Sequence, residues 1–573
     1  MSAARAVTPP PDGGYPNFNT AEGDNALFSL TTGEHNTAIG YNALFSNTTS
    51  GNNTAVGIEA LFGNTFGLQN TATGGFALFS NTTGSFNTAT GFDALVSNTT
   101  GLSNTANGTG ALANNTTGGG NTAAGESALF NNTSGDSNTA HGDGALFRNT
   151  SGVANTATGA SALFDNANGS FNTAIGFRAL ESNTTGSSNT ASGVDALVFN
   201  TSGNENTANG RQSLFSNTIG SNNTAIGVDS LYSNSTGGAN TAGGFEALFS
   251  NTTGSSNTAS GVDALAFNTT GGGNTATGTT ALYSNTTGSN NTAHGVDALI
   301  TNTTGSSNTA NGVQALYTNT TGSNNTATGA SALANNTTGG NNIALGQAAG
   351  ANLTTGSNDI DIGNQGVAGE SGTIRIGTAA TQTATFIAGI RGTPITGAMA
   401  VGITADGQLG VRGSSARFKE AIQPMDKTSE AVLSLRPVSF RYKKGIDPHR
   451  MPQFGLIAEE VAKVDLDLVV TDERGQPFSV RYEEVNAMLL NEFLKEHRKV
   501  EEQTWWLEEQ EAKIARLTLT VAQQQRDFQC TIGQLQAAMK TQAARLQQVS
   551  ERFDGTQPPP WVVANGNENG HTN

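Results

Sequence analysis

NTAIGYNALFSNTTSGN, Asn36 to Asn52, is a unit that starts again at Asn53, Asn70, Asn87 and Asn104 and keeps its phase to Asn342. Its Gly returns every 17 residues from Gly23 to Gly363, and its Leu from Leu27 through Leu44 and Leu61 to Leu333. No insertion breaks the phase. Self-similarity at a fixed period marks a repeat architecture, in which each unit buries against its neighbours what it cannot bury alone. The fold class implied is mainly β: a repetitive parallel β-solenoid or β-roll of 17-residue coils over residues 19–363. At roughly 4.8 Å per coil, about twenty coils make a rod on the order of 95 Å long.

Within each unit the Gly at the fifth position and the Asn-Thr-Thr-Gly run mark turns, because Gly reaches backbone angles closed to other residues. Asn and Thr bond to nearby backbone or stack in ladders between coils. Between them lies Ala43-Leu44-Phe45. Read as an extended segment, it sends successive side chains to opposite sides, so Leu44 lines the inside and Phe45 faces out. The outward position is mostly aromatic or aliphatic (Phe28, Phe62, Val96, Tyr232, Ile300). Such a row wants a cover. The same row on sister chains around a threefold axis is the simplest one; a monomeric solenoid with an exposed stripe is the plainer alternative.

Charged residues are only 12% of the chain and the formal net charge is −17. Low charge with few large apolar residues usually means disorder, and here the strict period argues against it. No basic stripe is present, so nucleic acid is not an expected partner. The single cysteine, Cys530, allows no disulfide framework within one chain. The Pro-rich start lacks the apolar core of a secretory signal, and no stretch reaches the ~18 apolar residues of a membrane span. The six histidines show no metal-ligand spacing, and no metal or cofactor is expected. The Asn-x-Thr sequons, such as Asn47-Thr48-Thr49, are read as turn and ladder chemistry and not as glycosylation sites.

Residues 1–18 read as a flexible leader. Residues 364–413 keep β character without the period, and VGITADGQLGV at Val401 reads as strand, turn, strand. Composition changes abruptly at Ser414: charges appear and Gly becomes sparse. An α/β pattern over 414–492 is followed by a heptad helix over 493–553 and a polar tail, 554–573, read as disordered. The helix has one clean seam, Phe493, Val500, Leu507, Ile514, Val521, Phe528, Leu535, Gln542 and Val549. Its partner seam is polar from His497 to Gln525 and apolar from Ile532 to Phe553. Heptads sustained this long predict a coiled coil. Trp505 and Trp506 are read as packing residues at the helix start.

Gly413-Ser414-Ser415-Ala416-Arg417-Phe418-Lys419-Glu420-Ala421-Ile422 lies on the sharpest compositional boundary. A Ser with a Lys five residues on says little alone. The surrounding segments add to it: LRPVSFRYK (Leu435 to Lys443), FGLIAEEV (Phe454 to Val461) and VRYEEVNAMLLNEFLKEHRKVEEQ (Val480 to Gln503). Together with SSARFKEAI they resemble the intramolecular chaperone domain of endosialidase-type phage tail spikes, which opens with a Ser-Asp-x-Arg-x-Lys run. Ser415 stands where that family usually has Asp.

The resemblance implies a C-terminal domain that trimerises, helps the upstream fibre fold and then cuts itself off before the first Ser. Carried to this chain, the cut is at Gly413–Ser414, with Ser414 as nucleophile and Lys419 as general base. Arg417 is a support residue or a structural ion-pair residue. Ser–Lys variants of the catalytic constellation exist, and a Ser hydroxyl needs a base to take its proton. The array is also loosely similar to the heads of trimeric autotransporter adhesins.

The function expected is a homotrimeric tail fibre or adhesin-like surface protein, on a virion or extracellular, with a cell-surface or polysaccharide receptor possible. Its catalysis would be at most a single cut in its own chain. The alternatives are a non-cleaving fibre with a C-terminal trimerisation domain, and a repeat-based binder of a flat target such as ice or polysaccharide, suggested by the Thr rows. An aligning domain has a physical reason: near-identical Gly-rich, polar rungs penalise slippage poorly, and long-range parallel β topology forms slowly.

Overall fold

The computed structural model describes residues 15–388, 401–404, 406–411, 413–472 and 474–535. The leader up to residue 14, the heptads beyond residue 535 and the tail at 554–573 lie outside these residues. The chain divides into two units, Met1–Arg391 and Gly392–Asn573.

The first unit is a parallel solenoid of about 21 turns. Each coil contributes one three-residue strand, from β1 (Thr20–Glu22) through β2 (Thr37–Ile39) to β21 (Ile360–Ile362). The register is fixed: Thr37 stands opposite Thr54, Ala38 opposite Ala55 and Ile39 opposite Val56. The middle Ala points inward and is buried in coil after coil, as at Ala38, Ala174 and Ala293. One further strand, β22 (Ile374–Ile376), pairs with β21 after a shorter spacing, Ile360 opposite Ile374. The stretch after residue 363 thus extends the ladder by one strand, Ile374–Ile376, while losing its period.

The inward Leu is confirmed; the conformation that delivers it differs from the expected one. Ala43-Leu44-Phe45 is a turn and not a strand, and Leu44 is left-handed (φ 51°). The same holds for Leu61, Leu214 and Leu333. A left-handed L-residue costs roughly 1–2 kcal/mol, and burying a Leu returns about 1.5–3 kcal/mol. Full burial of Leu44 therefore holds the turn. The short strand sits instead on Thr-Ala-x, directly before the turn opens at Gly40.

Phe45 faces out, but its row is half-buried by its own members. Phe28, Phe45, Phe62 and Phe79 stack ring on ring at 5.0–5.1 Å, and Phe215, Tyr232 and Phe249 do the same at 4.9–5.1 Å. The aromatic ladder largely supplies its own cover.

Two buried columns of Asn bind coil to coil. In the first, Asn36 Oδ1 accepts the backbone N–H of Asn53 at 3.0 Å and its side-chain amide at 3.3 Å. In the second, the Asn64 amide donates to Asn47 Oδ1 at 2.9 Å and to the Gly67 carbonyl at 3.0 Å. Both Asn47 and Asn64 are fully buried, which accounts for the sequons as ladder chemistry. The fifth-position Gly is required sterically as well as conformationally. Gly210 has φ +141°, and a Cβ there would run into the carbonyl oxygen of Gly227.

The ladder ends in acid. Asp359 takes the Asn place and its N–H donates to Asn342 Oδ1 (2.9 Å), while Asp361 takes the inner Ala place opposite Ala344 and Arg375. Both are buried, and each has one carboxylate oxygen without a hydrogen-bond partner. Arg375 bonds Glu370 instead, at 2.7 Å. Burial, then Glu370 and Asp359, push the Asp361 carboxyl up to about 6.

In the second unit, Val401–Ile403 and Leu409–Val411 form the expected antiparallel hairpin. Two further hairpins follow, Val438–Phe440 with Gln453–Gly455 and Val469–Thr471 with Pro477–Val480. Helix α1 (Ala458–Val464) precedes the last hairpin, and α2 (Tyr482–Leu535) follows it. Helix α2 begins before the heptad seam, because Val485 and Met488 are used in a small core with Val432, Val461, Leu468, Val469 and Val480. Trp505 and Trp506 therefore fall inside the helix, and both are exposed. Beyond the core, the seam residues Phe493, Val500, Leu507, Ile514, Val521 and Phe528 are all exposed.

Candidate active site

The segment from Gly413 to Lys419 is extended at both ends with a single 3-10 turn between. Ser415 (φ −64°, ψ 141°) leads into Ala416–Phe418, and Lys419 (φ −127°, ψ 142°) leads out. The Phe418 N–H donates to the Ser415 carbonyl at 3.0 Å and the Lys419 N–H to the Ala416 carbonyl at 3.1 Å. This one tight turn doubles the chain back. It brings Lys419 Nζ to 3.2 Å from Ser414 Oγ. A separation of five residues is thereby turned into hydrogen-bond contact, the geometry a base needs to take a hydroxyl proton. Both side chains are exposed.

Arg417, expected as a support or an ion-pair residue, lies with its guanidinium over the Phe418 ring, 4.6 Å from the centroid. The same ring sits against Gly413. A Cβ on Gly413 would lie 2.9 Å from Phe418 Cδ2 and 3.1 Å from Cε2. Gly413, Arg417 and Phe418 thus form one small stack beside the Ser–Lys pair. No feature of the sequence announced it, since neither Gly nor Phe carries a signal at this spacing.

A second Ser–Lys contact was not foreseen. Ser429 is fully buried, and its Oγ accepts from Asn491 Nδ2 at 2.7 Å and from Lys495 Nζ at 3.2 Å. The Ser429 hydroxyl donates to Glu492. Lys495 is held by Glu492 at 2.6 Å and lies 3.7 Å from Glu430. With its hydroxyl proton committed to a carboxylate and its Lys paired to acids, this cluster is a clasp. It ties the 3-10 segment Asp426–Ser434 to α2. Lys495 and Ser429 pull Glu492 below the usual carboxylate range. Among the described residues, Lys419 has no such acid partner, and its side chain bonds Ser414.

An open apolar groove of about 560 Å³ runs between the hairpin of Val438–Phe440 with Gln453–Gly455 and α2, lined among others by Leu435, Val438, Phe454, Tyr482, Val485 and Leu489. No group of three or more His, Cys, Asp or Glu suited to a metal occurs among the described residues. No helix among them is long and apolar enough to cross a membrane.

No curated protein matches the chain. Residues 414–470 match the family model described as chaperone of endosialidase, and the match opens on Ser414 itself. Residues 414–470, which open with the Ser414–Lys419 pair, thus carry the likeness to the chaperone of endosialidase.

Proposed function

We propose that this chain is the subunit of a homotrimeric fibre or adhesin-like appendage, on a virion tail or a cell surface, whose C-terminal domain aligns three chains and then releases itself at Gly413–Ser414. The observation that carries the cleavage reading is the contact of Lys419 Nζ with Ser414 Oγ, at the first residue of the matched domain. Lys419 takes the Oγ proton, and Oγ attacks the Gly413 carbonyl carbon. The Gly413–Ser414 C–N bond breaks, the Ser414 amine leaves with the proton returned by Lys419, and Gly413 remains as an ester on Oγ. Water then attacks that ester, giving a Gly413 carboxylate and a free Ser414 hydroxyl.

Three observations support assembly. The seam of α2 is exposed along its described length. Among the described residues, the second unit has a core of seven buried apolar side chains, while Phe454, Phe478 and Leu433 stay more than two-thirds exposed. A core that small rarely holds a domain without a partner. Finally, the coils repeat almost without distinction, so chains need an alignment that the coils do not provide. A Lys acts as a base once it is desolvated; on this reading assembly covers the exposed pair, so cleavage follows trimerisation.

The test is expression of the full chain and a denaturing gel. A break after residue 413, lost in Ser414→Ala and in Lys419→Ala, is the expected result. An intact wild-type trimer would leave a non-cleaving fibre. One observation favours a second reading, a binder of ice or polysaccharide: nineteen strands, β1 to β19, present an outward Thr in register. The other outward column varies from Ile39 to Asn107 to His141, which breaks any lattice match. We expect no thermal hysteresis from the purified array.

A further inference from the structure

The outward face of the solenoid sheet changes character at its C-terminal end. On either side of the inner residue, each strand sends two side chains outward. The first is Thr from Thr20 to Thr326. In the last three strands it becomes Ile343, Ile360 and Ile374, and the second outward residue becomes Leu345, Ile362 and Ile376. These six stand in register, Thr326 opposite Ile343, Ile343 opposite Ile360, Ile360 opposite Ile374. Ile374 and Ile376 are 66% and 70% exposed, and Ile343 and Leu345 nearly half. The rest of the sheet shows outward aliphatics only in isolation or side by side near its start, as at Ile39, Ile175 and Ile226.

Charge decides what covers this patch. From β2 to β22 neither outward column contains Asp, Glu, Lys or Arg. The two positions after the fifth-place Gly, by contrast, hold Glu126, Asp143, Asp229, Glu246, Asp263 and Asp297. Identical chains standing level around a shared axis set each axis-facing residue against its own copies. A charged column in that place would repel itself at every level, whereas an uncharged one meets no such penalty. The sheet face suits the axis and the charged edge does not. The patch is also where coils stop being interchangeable, since the spacing from Ile360 to Ile374 is 14 residues and not 17.

Resting on the trimer reading above, we propose that Ile343, Leu345, Ile360, Ile362, Ile374 and Ile376 form the surface through which sister solenoids first meet, and that this patch sets their register before the uniform Thr-faced coils close. A chain slipped by one coil presents Thr326 where its neighbours present Ile343, and matches a long coil against the short one. The aligning domain brings the ends together, and the patch rejects the wrong level.

The test uses the full-length chain with Cys530→Ser as background. Ile374→Cys is compared with Val194→Cys, an exposed apolar position (46%) on the charged edge, by mild oxidation and non-reducing denaturing gels. We expect a dimer-sized disulfide band from Cys at 374 and none from Cys at 194. The triple variant Ile343→Thr, Ile360→Thr and Ile374→Thr continues the Thr column and leaves the strands β-branched. It should keep its β circular dichroism and give a several-fold smaller share of native trimer. A trimer in which the thiol at 374 stays open to reagent, or whose triple variant assembles at the wild-type level, overturns the inference alone. A wild-type monomer overturns it together with the trimer reading.

Discussion

Replacing Asn206 by Ala in the middle of the array tests whether the buried Asn columns hold coil to coil. Asn206 Oδ1 accepts the Asn223 backbone N–H at 3.0 Å and the Asn223 amide at 3.1 Å; its own amide donates to Asn189 Oδ1 at 3.1 Å and to the Gly220 carbonyl at 2.9 Å. The Gly220 carbonyl keeps a second donor, Asn217, and the Asn223 amide keeps the Gly237 carbonyl. Only the Asn223 N–H is wholly stranded. A buried stranded donor costs about 1–3 kcal/mol and each of the three lesser bonds about 0.5–1.5 kcal/mol, so the sum is roughly 2.5–7.5 kcal/mol. In a solenoid each coil contacts its neighbours alone, and the loss stays local. Hydrogen exchange read by mass spectrometry should show protection across residues 206–229 falling by roughly two powers of ten or more, at ~1.4 kcal/mol per tenfold. Coils around Thr88–Thr105 should keep theirs. The neighbouring Thr207→Ala, outward on the same strand, should change little, within about 0.5 kcal/mol. Unchanged protection in Asn206→Ala, or loss spread evenly along the array, would refute the reasoning.

Asp361 makes the end of the ladder pH-sensitive. Its carboxyl, raised to about 6 by burial and by Glu370 and Asp359, holds its proton more tightly folded than unfolded, where Asp titrates near ~3.9. Its contribution is complete below about pH 4 and is lost as pH rises through about 6, by at most about 3 kcal/mol and less where water screens the end coil. Asp361→Ala, which restores the column residue, should flatten most of this dependence in exchange across Ile343–Ile376 and raise protection at pH 8. Gly210→Ala should open the coils on both sides of it, since its Cβ meets the Gly227 carbonyl. Retained wild-type exchange around Asn206–Gly227 would count against the close stacking described. Leu507→Asp with Ile514→Asp on the exposed seam should lower the trimer fraction in light scattering and leave more uncut chain on a gel. Normal cleavage in a monomeric variant would separate the cut from assembly.

The period, the inward Leu and the Asn ladders were legible because a single pattern repeats so often that every fixed position stands out. The strand was not. Thr37–Ile39 is too short to show alternation, and its small central Ala38 reads as neutral, whereas Ala43-Leu44-Phe45 looks like the better strand. A left-handed Leu44 has no sequence signature either, because the usual left-handed residues are Gly and Asn. The aromatic row was read correctly as outward, but its need for cover was overstated: rings one coil apart stack on one another. At the site, Ser414 and Lys419 became visible through the company they keep, while the 3-10 turn that joins them, Ala416–Phe418, has no Gly, Pro, Asn or Asp to announce it. Ser429, Glu492 and Lys495 were invisible because the clasp joins residues far apart in the sequence. The start of α2 at Tyr482 was hidden by a core-facing turn whose apolar residues, Val485 and Met488, do not continue the heptad seam.

The intact mass of the freshly purified full-length protein, measured natively and after denaturation beside Ser414→Ala, tests the central claim most directly. The account predicts a trimer whose wild-type chains end at Gly413, with a separate fragment beginning at Ser414, and uncut trimeric chains in the variant. A wild-type protein of single uncut chains, monomeric in solution, would contradict it.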